Sequence, residues 1–193
     1  EGHMGNELSP GFADPVADAQ ICFRAVLDAM ARPGRVYTVG GVSAPTPLYD
    51  AAAAVLLTLA DHETPLWLDH AAAACRGWIA FHTGAPIVSA EQAMFALAFS
   101  LPDLLGLANG SDEMPETSAT VILQVASLTT GQRFLLEGPG LRAPDIVTID
   151  GLPPDFVTIW QQNHSLYPRG IDLILCSGHQ LTALPRSVSI REA

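Results

Sequence analysis

The run Ser118 to Leu128 (SATVILQVASL) constrains the fold more than any other feature of the chain. It is β-branched and almost continuously apolar, so neither of its faces suits water. A strand of that kind belongs in the centre of a sheet covered on both sides. Ile171 to Cys176 (IDLILC) has the same character. Shorter strands are predicted at Arg35 to Val39, Leu66 to Asp69, Gly77 to His82, Phe134 to Glu137, Ile146 to Ile149 and, last, Leu181 to Leu184.

Helical spacing supplies the cover. Asp14 can cap a first helix, with Pro15 at its first position, where a missing N–H costs nothing. Val16, Ala19, Phe23, Val26, Leu27 and Met30 then share one face, and Pro33-Gly34 ends the helix. Asp28 and Arg32 have the spacing of an i,i+4 ion pair. Further helices are predicted over Leu48 to Ala60, Glu91 to Phe99 and Pro153 to about His164, with Phe156, Trp160 and Asn163 on one side of the last. Strands and helices are mixed without strict alternation. The expected fold is α/β, with three layers (α/β/α) and a central mixed sheet carrying helices on both faces.

Composition then narrows function. The chain has 193 residues, 49% of them hydrophobic, and a formal charge of −11. That matches a single domain over residues 5–193, with Glu1 to Met4 (EGHM) a remnant of an expression vector. Basic residues are too few for a nucleic-acid face. No apolar run reaches the roughly 18–20 residues of a membrane span. No signal peptide is visible, so the expectation is a cytoplasmic protein.

All nine basic residues are arginine. The lack of lysine removes Schiff-base chemistry and the lysine of a phosphate-binding P-loop. The three cysteines, Cys22, Cys75 and Cys176, form no CxxC pair, which predicts buried reduced thiols and no metal site. Nucleophile-elbow, zinc-protease and dinucleotide-binding signatures are absent. Gly138-Pro139-Gly140 reads as a turn between strands.

Some polar residues keep two readings. Asp61-His62-Glu63-Thr64 follows a helix end; it is either a cleft-facing acid/base or metal cluster, or simply a polar helix terminus. His82 is either a strand-end ligand to a pocket or a satisfied rim histidine. Arg24, Arg169 and Arg186 can grip a phosphate or phosphonate, or pair with Asp18 or Asp172.

In order along nearly the whole chain, a set of short runs resembles the PhnH family of the carbon–phosphorus lyase system. They are Asp18-Ala19-Gln20, Phe23-Arg24, Ala29-Met30 with Pro33-Gly34, Leu56-Leu57-Thr58-Leu59-Ala60-Asp61, Thr64-Pro65 and Trp67. Phe81-His82-Thr83, Pro86, Ala119 to Leu128, Gly170-Ile171-Asp172-Leu173 and Leu184-Pro185-Arg186 continue the series. The resemblance implies a reduced pyridoxal-phosphate-dependent transferase fold without the cofactor, in keeping with the missing lysine. It implies a homodimer in isolation and a core complex with subunits G, I and J. That system moves an alkylphosphonate onto the ribose of ATP and releases adenine. The resemblance implies no cofactor, no independent activity and no known catalytic residue. The candidate pocket residues are Arg24, Asp61, Thr64, His82, Asp172 and Arg186, ahead of Arg32, His62 and Arg169.

Three functions follow, in order of expectation: an accessory subunit, a stand-alone enzyme, and a small-molecule binding protein. An enzyme would need Asp61 or His82 as acid/base to converge with Arg186 as anion anchor.

Overall fold

A computed structural model describes residues 9–193; Glu1 to Met4 therefore lie outside the described residues. A six-stranded mixed sheet forms the centre. Its strands are β1 (Tyr37–Thr38), β2 (Leu66–Leu68), β3 (Phe95–Ala98), β4 (Thr120–Gln124), β7 (Asp172–Ser177) and β8 (Gln180–Leu184), in the order β1-β8-β7-β4-β3-β2. β2, β3, β4 and β7 run parallel; at one side β8 pairs antiparallel with β7, and β1 pairs antiparallel with β8.

The apolar runs are explained by this placement. Along the strands, Leu97, Ile122, Ile174 and Cys176 enter one core, and Ala96, Val121, Leu123, Leu173 and Leu175 enter the other. With both faces covered, alternation between apolar and polar residues disappears. The first core is closed by α1 (Pro15–Ala31), α2 (Asp50–Leu59) and α3 (Arg76–Thr83). The second is closed by α4 (Phe156–Ser165) and by a separate antiparallel sheet of β5 (Ser127–Glu137), β6 (Asp145–Asp150) and β9 (Ser189–Glu192), in the order β6-β5-β9. One side of the sheet is thus helical, as expected, and the other is mostly a second sheet.

Several local expectations are corrected. The run Ser118 to Leu128 is not one strand. It leaves the central sheet after Gln124 and enters the second sheet at Ser127. A strand follows Leu184, so β8 is not the last. Gly77 to His82 is helical, within α3: Trp78, Ile79 and Thr83 are buried while Phe81 points outward, a helical and not an alternating pattern. His82 is therefore on a helix. Glu91 to Phe99 is a short 3-10 turn followed by β3, because Ala96, Leu97 and Ala98 fill a parallel ladder between β2 and β4. Burial on both faces overrides the helix preference of alanine and leucine.

The first helix is capped as predicted and extended by a reciprocal contact. Asp14 Oδ1 accepts from Ala17 N–H, and Asp18 Oδ2 accepts from Asp14 N–H at 2.8 Å. Its buried face is different, however. Cys22, Ala25, Val26 and Ala29 pack inward, while Val16, Ile21, Phe23 and Leu27 are 69%, 60%, 48% and 53% exposed. The reason is size. The neighbouring α2 presents Ala51, Ala52, Ala53 and Ala54, all fully buried, and only a small-residue face on α1 packs closely against it. The expected Asp28–Arg32 side-chain pair is not among the ion pairs of the described residues; Arg32 instead caps the helix through its N–H to Asp28 O.

Candidate functional site

A cleft of about 500 Å³ opens at the carboxyl ends of the parallel strands, where ligands collect in open α/β sheets. Its floor is Gln124 at the end of β4, followed by Val125 and Ala126. Its walls include Phe99, just past β3, and Pro47, Leu48 and Tyr49, which lead into α2.

Gln124 organises this corner. It is the one amide in a strand that is otherwise apolar after Thr120, and it is buried. Its Oε1 accepts from Tyr49 N–H at 2.7 Å and its Nε2 donates to Pro47 O at 3.1 Å. The amide thereby ties the approach to α2 onto the central sheet, and it retains one acceptor position and one N–H beyond those two bonds. Asp50 lies alongside. One of its oxygens accepts from Ala44 N–H at 2.7 Å, and the other is 3.5 Å from His179 Nε2 on the β7–β8 turn. On the far side, Asp69 holds the end of β3 by accepting from Phe99 N–H at 2.7 Å.

Two aromatic side chains, one amide and a largely apolar wall suit recognition of a small molecule. Among the described residues, the Tyr49 phenol is the one titratable side chain in the lining of the cleft. Gln124 was legible in principle, as a lone amide within a hydrophobic run. Tyr49 and Phe99 carried no local signal.

The six residues expected from the sequence lie elsewhere. Arg186 and Asp172 do come together, in a bidentate pair: Arg186 N–H and Nε donate to Asp172 Oδ1, and an NH2 group donates to Oδ2 at 2.9 Å. Both are largely buried, at 15% and 13% side-chain exposure. The remaining guanidinium nitrogen donates to Pro115 O and Pro168 O. All three guanidinium nitrogens thus donate, and the arginine ties the start of β7 and the segment after β8 to the loops at Pro115 and Pro168.

Asp61 and Thr64 close a turn after α2. Asp61 Oδ1 accepts from Glu63 N–H at 2.8 Å and from the Thr64 hydroxyl at 2.9 Å. The Glu63 N–H first, and the Thr64 hydroxyl second, hold the Asp61 carboxyl below the usual carboxylate range. His82 contacts Ser9 O through Nε2 at 2.8 Å and packs tilted against Trp78, with ring centroids 4.6 Å apart, and the Trp78 indole N–H donates to the same carbonyl. It pins the start of the described chain against α3. Arg24 is exposed on α1 beside Gln20 and Ile21. Arg169, ranked lower, pairs with Asp112 at 3.0 Å.

These positions do not converge on the cleft. Asp172 opens β7 and Thr64 just precedes β2; β4 and β3 stand between, three strand spacings or about 14 Å. Among the described residues, no group of three or more His, Cys, Asp or Glu side chains is arranged to hold a metal ion. No helix among them is long and apolar enough to cross a membrane.

Comparison with known proteins adds to this geometry. A family model described as bacterial phosphonate metabolism protein (PhnH) matches residues 10–191. The chain is 38% identical over 189 residues to "Alpha-D-ribose 1-methylphosphonate 5-triphosphate synthase subunit PhnH" of Rhizobium meliloti (strain 1021), covering 94% of each chain. It is 33% identical over 181 residues to "Putative C-P lyase subunit protein HtxG" of Stutzerimonas stutzeri, covering 89% of this chain and 85% of that one.

Proposed function

Because the chain belongs to the bacterial PhnH family of phosphonate metabolism proteins, we propose that it is a subunit of a carbon–phosphorus lyase complex in phosphonate catabolism. In that role it supports transfer of an alkylphosphonate to the ribose of ATP with loss of adenine. It works in the cytoplasm beside subunits G, I and J, forms a homodimer when isolated, and uses residues 5–193 as one domain. Its fold is a reduced pyridoxal-phosphate-dependent transferase fold that has lost its cofactor, a reading supported by the absence of lysine.

The observation that carries the assembly reading is the outward face of α1. Val16, Phe23 and Leu27 form an apolar stripe on a helix whose other face already fills a core. A free monomer gains nothing from exposing such a surface, and subunit contacts are built from it. Arg24 lies next to the stripe, in an exposed hollow it shares with Ala17, Gln20 and Ile21, and belongs to the same docking face, since arginine is enriched at interfaces. Asp61, Thr64, His82, Asp172 and Arg186 serve the fold that presents it.

Co-expression with the G, I and J subunits, followed by size exclusion with mass determination, tests this reading. The expected result is a stable co-eluting complex that a Phe23→Glu, Leu27→Glu double variant loses while keeping its circular dichroism spectrum. If the parent protein elutes alone at every salt concentration, the subunit role is refuted. The strand-end cleft would then support the second reading, a free-standing small-molecule binding protein.

A further inference from the structure

Three of the nine arginines meet at one place that neither the strand-end cleft nor the α1 stripe includes. Arg32 and Arg35 flank the turn that follows α1, and Arg142 lies on the turn between β5 and β6. They surround a half-open cavity of about 480 Å³, with Asp145 as the only acidic side chain in its lining among the described residues. Three positive charges against one negative make a basic site on a chain of net charge −11.

The backbone brings these two turns together, so the convergence does not depend on long side chains alone. Gly140 has φ +88°, and a Cβ there would sit 2.4 Å from Ala31 O and 2.9 Å from Pro33 Cδ. Gly34 has φ +83°, and a Cβ there would sit 2.6 Å from Leu136 Cδ1. Only glycine permits this approach at either turn. Gly34 N–H also donates to Ala183 O, and the Thr182 hydroxyl donates to Arg35 O, which fixes the first turn to β8.

Three other arginines have carboxylate partners among the described residues, Arg169 with Asp112, Arg186 with Asp172 and Arg191 with Glu137, while Arg24, Arg76 and Arg133 have none and line no common cavity with one another. Arg32, Arg35 and Arg142 also have none among the described residues, and these three line one cavity. Compensation of the negative end of α1 accounts for Arg32 at the cap, but that effect fades within a turn and does not call for Arg142. Guanidinium forks match phosphate oxygens two at a time. A cavity of this volume with three of them spread around it is larger than one phosphate group requires.

We propose that the cavity between the α1–β1 and β5–β6 turns binds a chain of linked phosphates, with Arg32, Arg35 and Arg142 as its anion ligands. The site stands independently of the assembly reading. The same chemistry is offered by an inorganic polyphosphate and by the phosphate tail of a nucleotide.

Isothermal titration of the full chain at low ionic strength, with inorganic tripolyphosphate, ATP and adenosine as separate probes, tests the proposal. Tripolyphosphate is expected to bind one per chain and to weaken as salt rises. Each of Arg32→Ala, Arg35→Ala and Arg142→Ala should weaken it by about three- to tenfold. Arg142→Lys should recover part of the loss, and the triple alanine variant should not bind. Arg133→Ala, an exposed arginine outside the cavity, should bind as the parent does. ATP binding more tightly than tripolyphosphate supports a nucleotide ligand, and equal affinity supports a polyphosphate chain. No binding by the parent overturns the proposal, as does equal weakening by Arg133→Ala. If the triple variant folds, loses the partner subunits and the parent binds no polyphosphate, the arginines face a protein, and the anion site is refuted.

Discussion

Replacing Asp172 by alanine should be among the most damaging single changes to this fold. The carboxylate receives three hydrogen bonds from Arg186, one from the backbone and two from the guanidinium. With Asp172 gone, a guanidinium only 15% exposed keeps just the Pro115 and Pro168 carbonyls. Breaking a buried pair by removing one partner costs about 3–5 kcal/mol. The two surviving carbonyl contacts and the residual exposure place the expected loss near the lower bound, about 3 kcal/mol. For a chain of this length that lowers Tm by about 6–12 °C. Asp172→Asn keeps an acceptor for Arg186 N–H and should lose less. Adding Arg186→Met to Asp172→Ala should restore much of the stability, because the stranded charge is removed with its partner. Urea unfolding followed by tryptophan fluorescence, at one fixed protein concentration, reads all four proteins. Asp112→Ala, which breaks the exposed Arg169–Asp112 pair, serves as the surface reference and should cost under about 1 kcal/mol. If Asp172→Ala costs no more than Asp112→Ala, the pair is not the clamp described above.

Three further outcomes are expected. Gln124→Ala should cost about 2 kcal/mol in urea unfolding, since two buried bonds to the segment before α2 are lost, and it should loosen proteolytic protection around Tyr49; unchanged protection would count against the strand-end cleft being organised by this amide. Burial pushes the thiols of Cys22, Cys75 and Cys176 up, so Ellman's reagent at pH 8 should label none of the three in the native protein and all three in urea; rapid native labelling would contradict their burial. Asp61 has a carboxyl held low in the fold, so its contribution to stability is present above the unfolded carboxylate pKa and is lost as pH falls through the folded one. Thr64→Val should raise its NMR-detected pKa toward the ordinary value without reaching it, because the Glu63 N–H remains; an unaltered titration would remove the Thr64 hydroxyl as a cause.

Local chemistry in the sequence was sufficient for part of this protein. The cap at Asp14 and Pro15, the turn at Gly138-Pro139-Gly140, the buried strand at Ile171 to Cys176 and the inward Trp160 and Asn163 of α4 each depend on a few neighbouring residues. The family was legible too, because short runs matched it in order from end to end. Tertiary structure alone settled the rest. Whether Phe95–Ala98 became a strand, and GWIAFH a helix, turned on which neighbours covered their two faces. The inward face of α1 followed from the alanines of α2, not from the size of its own side chains. Likewise the arginines that meet, Arg32, Arg35 and Arg142, stand more than a hundred residues apart in two groups, and two glycine-permitted turns bring them together. Spacing along a chain specifies which face of an element is apolar; it does not specify what that face meets, because packing is decided by partners distant in sequence.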